Sequence, residues 1–357
     1  MTDQDGSHPH QTATADTSGT SWRRLALFGG LFVLLTAAGI YTVYSQFAER
    51  SFTFDTRLLA PGTLLSIAAL LLVYFTADGL RLYFTLRALG HRLPFRPLTK
   101  LVFINLFFSN VTPMATGGGF AQIWYLTRHG IPAGRAATAT TIRTVLAVLF
   151  IFSLTPVCLL TLAPLQGQSI VGRVGEALAV FIVLYLGFFL VLLFRTRWLI
   201  RPLSGLLALL RRGHLISARR HDRWQFGCRR EMLRFSGAFG EYLRGPRHFV
   251  ALSVLCTAIF LLSLFSFPAL LIHALGYPVD YPLTVGLLVV TTFIMYFSPT
   301  PGASGISEGV FGHFFQGILS GNHLVLVTVT WRLLTIYLGV VIGLLILQKD
   351  LSKGKRT

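Results

Sequence analysis

The chain is a succession of long apolar runs separated by short basic clusters, several of them charge-free and long enough to cross a bilayer. After a polar tail over residues 1–21, Trp22-Arg23-Arg24 precede a span from Leu25 to about Phe47. That run exceeds a signal peptide's apolar core and lacks an evident small-residue cleavage site, so it reads as a retained anchor. Further spans follow at about Leu58–Tyr83, Ala136–Ala163, Ala177–Phe194, Phe249–His273 and Leu324–Leu347. Two more apolar segments, Leu101–Leu126 and Leu283–Leu319, are interrupted midway. The pattern predicts an all-α polytopic membrane protein of about six full spans plus two re-entrant broken hairpins. Alternating segments are too few for an outer-membrane barrel.

The interruptions carry the information. Ser298-Pro299-Thr300-Pro301-Gly302-Ala303-Ser304-Gly305-Ile306-Ser307-Glu308 sits in a run that is charge-free from Tyr281 to Ser307. Proline removes a backbone donor and glycine permits positive φ, so no helix passes unbroken. In hydrocarbon, such a break persists only inside protein or beside a polar cavity. The earlier break, Asn110-Val111-Thr112-Pro113-Met114-Ala115-Thr116-Gly117-Gly118-Gly119, has the same surroundings. Leu89-Gly90 and Pro97-Leu98-Thr99 precede it, as Leu275-Gly276 and Pro282-Leu283-Thr284 precede the second. Each Thr-Pro pair is followed by a glycine at the same spacing, Gly117 or Gly305, and then by a helix with an early arginine, Arg143 or Arg332. This predicts an internal duplication, repeat A over about 58–163 and repeat B over about 249–347, within a transmembrane domain covering 22–348. The bland alternatives are a single tilted span at the first break and, at the second, a proline-kinked helix with Glu308 bound to a neighbour.

Charge sets the expected sidedness. The 357-residue chain is 53% hydrophobic with formal net charge +18. Its basic residues cluster between spans, a positive-inside pattern rather than a nucleic-acid-binding surface. Residues 195–247 hold thirteen arginines against three acids, with Met232, Leu233, Phe235, Phe239, Tyr242 and Leu243 at helical spacing. This predicts an amphipathic helix on the inner leaflet. Ala274–Pro282 carries no basic residue and is expected outside. The count puts both termini in the cytoplasm of a cell-membrane protein, with 349–357 a basic tail. It also puts the two hairpins on opposite sides, the inverted-repeat plan in which broken helices meet near the midplane. Cys158, Cys228 and Cys256 show no metal or disulfide spacing, and no cofactor is implied.

On these residues the chain resembles the flippase-like family that includes the transmembrane domain of lysylphosphatidylglycerol synthases. The resemblance runs from about Arg81 to Leu347. It rests on Asn110-Val-Thr-Pro with Gly117-Gly118 and Gln122, on Leu126-x-x-x-Gly130, and on Pro301-Gly302-x-x-Gly305-x-x-Glu308. It implies movement of a modified lipid between leaflets. Two places depart from the family pattern: Phe120 and Ala121 stand where an acidic residue is common, and Ile142 precedes Arg143 where a glutamate is common. The chain's end at Thr357 leaves no room for a soluble aminoacyltransferase domain, so that activity is not expected.

The resulting expectation is a translocase of an anionic or modified phospholipid, or of a polyprenyl-linked lipid, without nucleic acid; a homo-oligomer is compatible. The substrate-binding candidates are Asn110, Thr112, Pro113, Gly117, Gly118, Gln122, Arg143, Thr300, Pro301, Gly302, Ser304, Gly305, Ser307, Glu308 and Arg332, with Thr116 as a further hydroxyl. Backbone N–H groups at the breaks and helix N-termini suit phosphate, and arginine suits its bidentate recognition. Glu308 would bind a cationic moiety or carry a coupling proton, so Glu308→Gln is expected to keep the fold and abolish directional transport. Asp78 and Arg81, three apart, can pair on one helix face, either as a structural ion pair near the membrane edge or in a substrate role. No catalytic cluster is evident; the rivals are a membrane-embedded lipid transferase and a non-transporting accessory protein.

Overall fold

The computed structural model describes residues 54–112, 115–162, 180–187 and 237–353, with scattered positions between 30 and 45 and between 191 and 233. The polar tail, most of the expected first span, Pro113 and most of the basic loop lie outside the described residues. The regular structure described is all helical. In chain order the helices are α1 (Pro61–Ala88), α2 (Phe95–Val111), α3 (Thr116–Arg128), α4 (Ala133–Thr161), α5 (Arg247–Ala274), α6 (Tyr281–Tyr296), α7 (Ile306–Phe315), α8 (Gly321–Arg332) and α9 (Leu338–Lys353). A π-helical turn, Leu333–Tyr337, joins α8 to α9.

Among the described residues, four stretches are long and apolar enough to cross a membrane: α1, α4, α5 and the continuous Gly321–Asp350, of 28, 29, 28 and 30 residues. At 1.5 Å per residue each exceeds about 40 Å, more than the ~30 Å hydrocarbon core. By contrast α2, α3, α6 and α7 have 17, 13, 16 and 10 residues. At the same rise these reach roughly 15–26 Å, so none crosses alone. Each pair is separated at one of the two proline- and glycine-containing breaks, where the local chemistry ends the helix.

α1 and α5 end in the same way. Gly90 and Gly276 both adopt φ +81°. The N–H of His91 donates to Leu86 O at 2.9 Å, and that of Tyr277 to Ile272 O at 3.3 Å. This is a left-handed glycine stop that satisfies carbonyls left open at a helix end. α1 and α5 pack extensively against each other.

Polar contacts sort the helix ends into two faces. Lys100 near the start of α2 lies 3.2 Å from Asp350 near the end of α9, and Arg135 near the start of α4 pairs with Glu241. Gly245 abuts the Ala88 carbonyl at the end of α1, where a Cβ would meet it at 2.2 Å. On the other face, the Tyr277 hydroxyl after α5 lies 2.7 Å from His323 Nδ1 and donates to Ser320 Oγ. His323 Nε2 is 3.2 Å from Asp55, ahead of α1. Of the expected amphipathic segment, 237–244 is helical, with Phe239 and Tyr242 buried.

The buried apolar side chains form two main clusters. The larger draws on Ala77, Ile151, Phe265, Phe293, Phe311 and Trp331; the other on Leu82, Leu98, Leu126, Ile142 and Tyr242. Along α1 the boundary falls between Ala77 and Leu82, and Asp78 and Arg81 occupy it. The buried hydroxyls of Thr85, Thr155, Thr257, Thr291 and Thr328 each donate to the carbonyl four residues back in their own helix. In an apolar medium without water this is how such groups avoid an unpaired donor.

Candidate functional site

The two breaks have matching backbones. Ala115 and Ala303 stand at the same offset from their Thr-Pro pairs and are the described non-glycine residues with left-handed φ, +54° and +53°. An L-residue held there costs on the order of 1 kcal/mol, so each break holds a strained alanine that a glycine would relieve. At the first break the Thr112 hydroxyl donates to Phe108 O at 2.7 Å and accepts from the Gly117 N–H at 2.8 Å. At the second, the Thr300 hydroxyl donates to Ser304 O at 3.0 Å. Gly305, at φ +86°, opens α7.

α3 folds back antiparallel along α2, and its glycines permit the approach. A Cβ on Gly118 would lie 1.8 Å from Ser109 Oγ and 2.7 Å from Asn105 Oδ1; one on Gly117 would lie 2.6 Å from Thr112. Gln122 Nε2 donates across the pair to Asn105 Oδ1 at 2.6 Å.

Beside this pair, Asp78 of α1 is clasped by two arginines. Arg81 Nε donates to its Oδ1 at 2.6 Å, and Arg143 Nη2 donates to both carboxylate oxygens at 2.6 and 2.7 Å. All three residues are buried. The cluster therefore holds one more positive than negative charge. Ile142 is buried among apolar side chains, and the counter-charge for Arg143 comes instead from 65 residues upstream. The Arg81 guanidinium lies 3.9 Å from the Phe260 ring centroid. Arg81 Nη1 and Arg143 Nε have no hydrogen-bond partner within the protein. An unpaired buried donor costs roughly 1–3 kcal/mol, more when charged, so these groups favour an incoming acceptor.

Both arginines line a cavity of about 520 Å³. Asn105, Ser109, Asn110, Ala115, Gly119 and Gln122 border it from the first hairpin. Tyr296, Ser298, Thr300, Gly302 and Ala303 border it from the second, and Thr144 and Val148 from α4. No acidic residue is among its described lining residues. The two breaks thus meet in one place, as their sequences suggest, and the strained alanines face the same space.

Glu308 and Arg332 are placed otherwise. Glu308 is fully buried at the third position of α7, where its Oε2 accepts from the Gly305 N–H and the Ser307 hydroxyl, both at 2.8 Å. This is the reaching-back half of a capping box. Its Oε1 lies 2.8 Å from Arg332 Nε, also fully buried. Arg332 Nη2 donates to Gly302 O at 2.9 Å, tying the ion pair to the second break. The adjoining π-helical turn is an irregularity often found at functional sites.

A family model for the lysylphosphatidylglycerol synthase TM region matches residues 17–343. The chain belongs to that family. A UPF0104 membrane protein of Archaeoglobus fulgidus is 22% identical over 324 residues, covering 90% of this chain and 97% of that protein. As a member of the lysylphosphatidylglycerol synthase TM region family, the chain is a multi-pass membrane protein.

Of the residues singled out from the sequence, Asn110, Gln122, Arg143, Thr300 and Gly302 line the cavity. Thr112, Gly117, Gly118, Pro301, Ser304, Gly305, Ser307, Glu308 and Arg332 do not; they shape or tie the backbone around it. Pro113 lies outside the described residues. Thr116 and Gly119 border a second, apolar groove. Asn105, Ala115 and Ala303 were not among the binding candidates, and Arg81 was weighed only as the partner of Asp78. The alanines were legible in principle, since both stand at one offset from a Thr-Pro pair; Asn105 and Arg81 become neighbours of the break only through helix packing.

Proposed function

We propose that this protein is a lipid translocase whose cavity takes a phosphate-bearing, net-anionic headgroup. One observation carries this reading: two buried arginines, each with an N–H group unpartnered within the protein, are among the residues lining a cavity that both breaks border, and none of its described lining residues is acidic. Charge-assisted bonds from arginine to phosphate oxygens are short and strong. A cationic headgroup would meet the net positive Arg81–Asp78–Arg143 cluster and be repelled. Glu308, already neutralised by Arg332, offers it no counter-charge.

The chain path supports a re-entrant, inverted arrangement. The α2–α3 hairpin begins and ends on the face carrying Lys100 and Arg135, while α6–α7 begins and ends on the face carrying Tyr277 and Ser320. With the basic face cytoplasmic by the positive-inside rule, each hairpin reaches inward from its own side and the tips share the cavity. Left-handed Ala115 and Ala303, and the matched stops at Gly90 and Gly276, favour descent of the halves from one repeat.

Proteoliposomes test it. With head-labelled fluorescent phosphatidylglycerol, the wild-type protein should expose inner-leaflet label to an external quencher faster than empty vesicles. Label on phosphatidylcholine should stay protected. Arg143→Gln leaves Asp78 paired with Arg81, so the variant should fold while losing about tenfold or more of the rate. Unlabelled polyprenyl phosphate that slows the exchange more strongly than excess phosphatidylglycerol would identify that lipid as the preferred source of the phosphate. Folded protein that accelerates none of these lipids would overturn the reading.

A further inference from the structure

A second cavity of about 460 Å³ lies between α3 and α4, lined mainly by Phe120, Ile123, Val145, Val148 and Tyr185, with Thr140 and Thr141. It shares Gly119, Thr144 and Val148 with the arginine-lined cavity, so the two are contiguous. α3 faces outward beside it: Phe120 is 75% exposed and Trp124 40% exposed, on a helix within an apolar multi-pass protein.

Gly119 stands at the junction, and its lack of a side chain needs explaining. Gly117 and Gly118 are required by the approach of α2. Gly119 is not: a Cβ there would find its nearest neighbour, Thr140 Cγ2, at 4.0 Å, and its φ is not in the left-handed region. Neither turn geometry nor helix packing calls for glycine. A larger side chain there would stand at the boundary between a polar chamber and an apolar groove.

We infer that the groove between α3 and α4 holds a hydrocarbon chain of the transported lipid, with Gly119 as the passage joining it to the phosphate held at Arg81 and Arg143. This rests on the translocase reading of the arginine cavity. The physical requirement is simple. A headgroup can cross in a polar chamber only if its chains stay in an apolar medium, so the chamber needs a lateral apolar slot. Because bilayer hydrocarbon is as apolar as the groove, little affinity comes from the chain itself. The slot orients the lipid, and the arginines select it.

The test uses the purified protein in phosphatidylcholine nanodiscs containing a trace of phosphatidylglycerol with a diazirine in one acyl chain. After photolysis, mass spectrometry should place label on peptides carrying Ile123 and Val145 or Val148. Excess unlabelled phosphatidylglycerol should compete it and phosphatidylethanolamine should not. Gly119→Leu should lower groove labelling about tenfold, equivalent to ~1.4 kcal/mol. If Gly119→Leu does not fold, Ile123→Trp fills the groove from its other end and should give the same loss. Competed label that maps elsewhere, or groove label undiminished in these variants, overturns the chain slot and leaves the translocase reading standing. Absence of competed label anywhere overturns both.

Discussion

Replacing Glu308 with glutamine should destabilise the protein, not leave a folded but inactive carrier. Glu308 and Arg332 are both fully buried with 2.8 Å between Oε1 and Nε. At an effective dielectric constant of about 20, opposite unit charges at that separation attract by roughly 6 kcal/mol, offset by the desolvation both have undergone. Glutamine retains an oxygen to accept from Gly305 N–H, so the capping box survives. What it removes is the counter-charge, stranding Arg332 in the interior, and breaking one side of a buried pair costs about 3–5 kcal/mol. The unfolding midpoint in detergent should fall on the order of 10 °C. The double variant Glu308→Gln/Arg332→Met removes both charges and should recover most of that loss, with a coupling of about 2 kcal/mol or more. A Glu308→Gln midpoint within a degree or two of wild type, or a double variant no better than the single, would refute the argument.

Asp78→Asn should be comparably damaging, about 3–5 kcal/mol by thermal unfolding, because it strands two buried arginines, whereas Arg143→Gln should fall well short of that. Gly118→Ala should cost roughly 1–3 kcal/mol, since its Cβ would overlap Ser109, while Gly119→Ala should be near neutral; equal effects would contradict the close approach of α2 and α3. On the face opposite the basic residues, the hydrogen bonds from the Arg57 side chain and N–H hold the Asp55 carboxyl well below the usual carboxylate range. A depressed carboxylate stabilises above its unfolded pKa of about 3.9 and loses that stabilisation as pH falls towards its folded pKa. The midpoint difference between wild type and Asp55→Asn should therefore stay constant from about pH 8 to 5 and shrink only below about pH 4. A difference already shrinking near neutrality would refute that assignment.

What the sequence determined alone is what the backbone decides locally. Proline and glycine end helices wherever they occur, so both breaks were legible, as were the paired Leu-Gly stops, whose glycines take φ +81°. Charge-free runs longer than a bilayer is thick identify membrane helices without reference to any neighbour. Partnership between side chains is a different kind of fact. Asp78 and Arg81 could be paired from their spacing, but that Arg143 completes the cluster depends on α4 lying against α1. Glu308 suggested a carboxyl poised between helix dipole and desolvation; the packing of α8 beside α7 supplied Arg332 and made it half of an ion pair. Gly117, Gly118 and Gly119 are indistinguishable in the chain, yet two are pressed against α2 and the third opens onto two cavities. A helix that turns back on itself assigns its faces only when it finds what it packs against, and that is where tertiary structure decided which residues shape the site and which can touch a ligand.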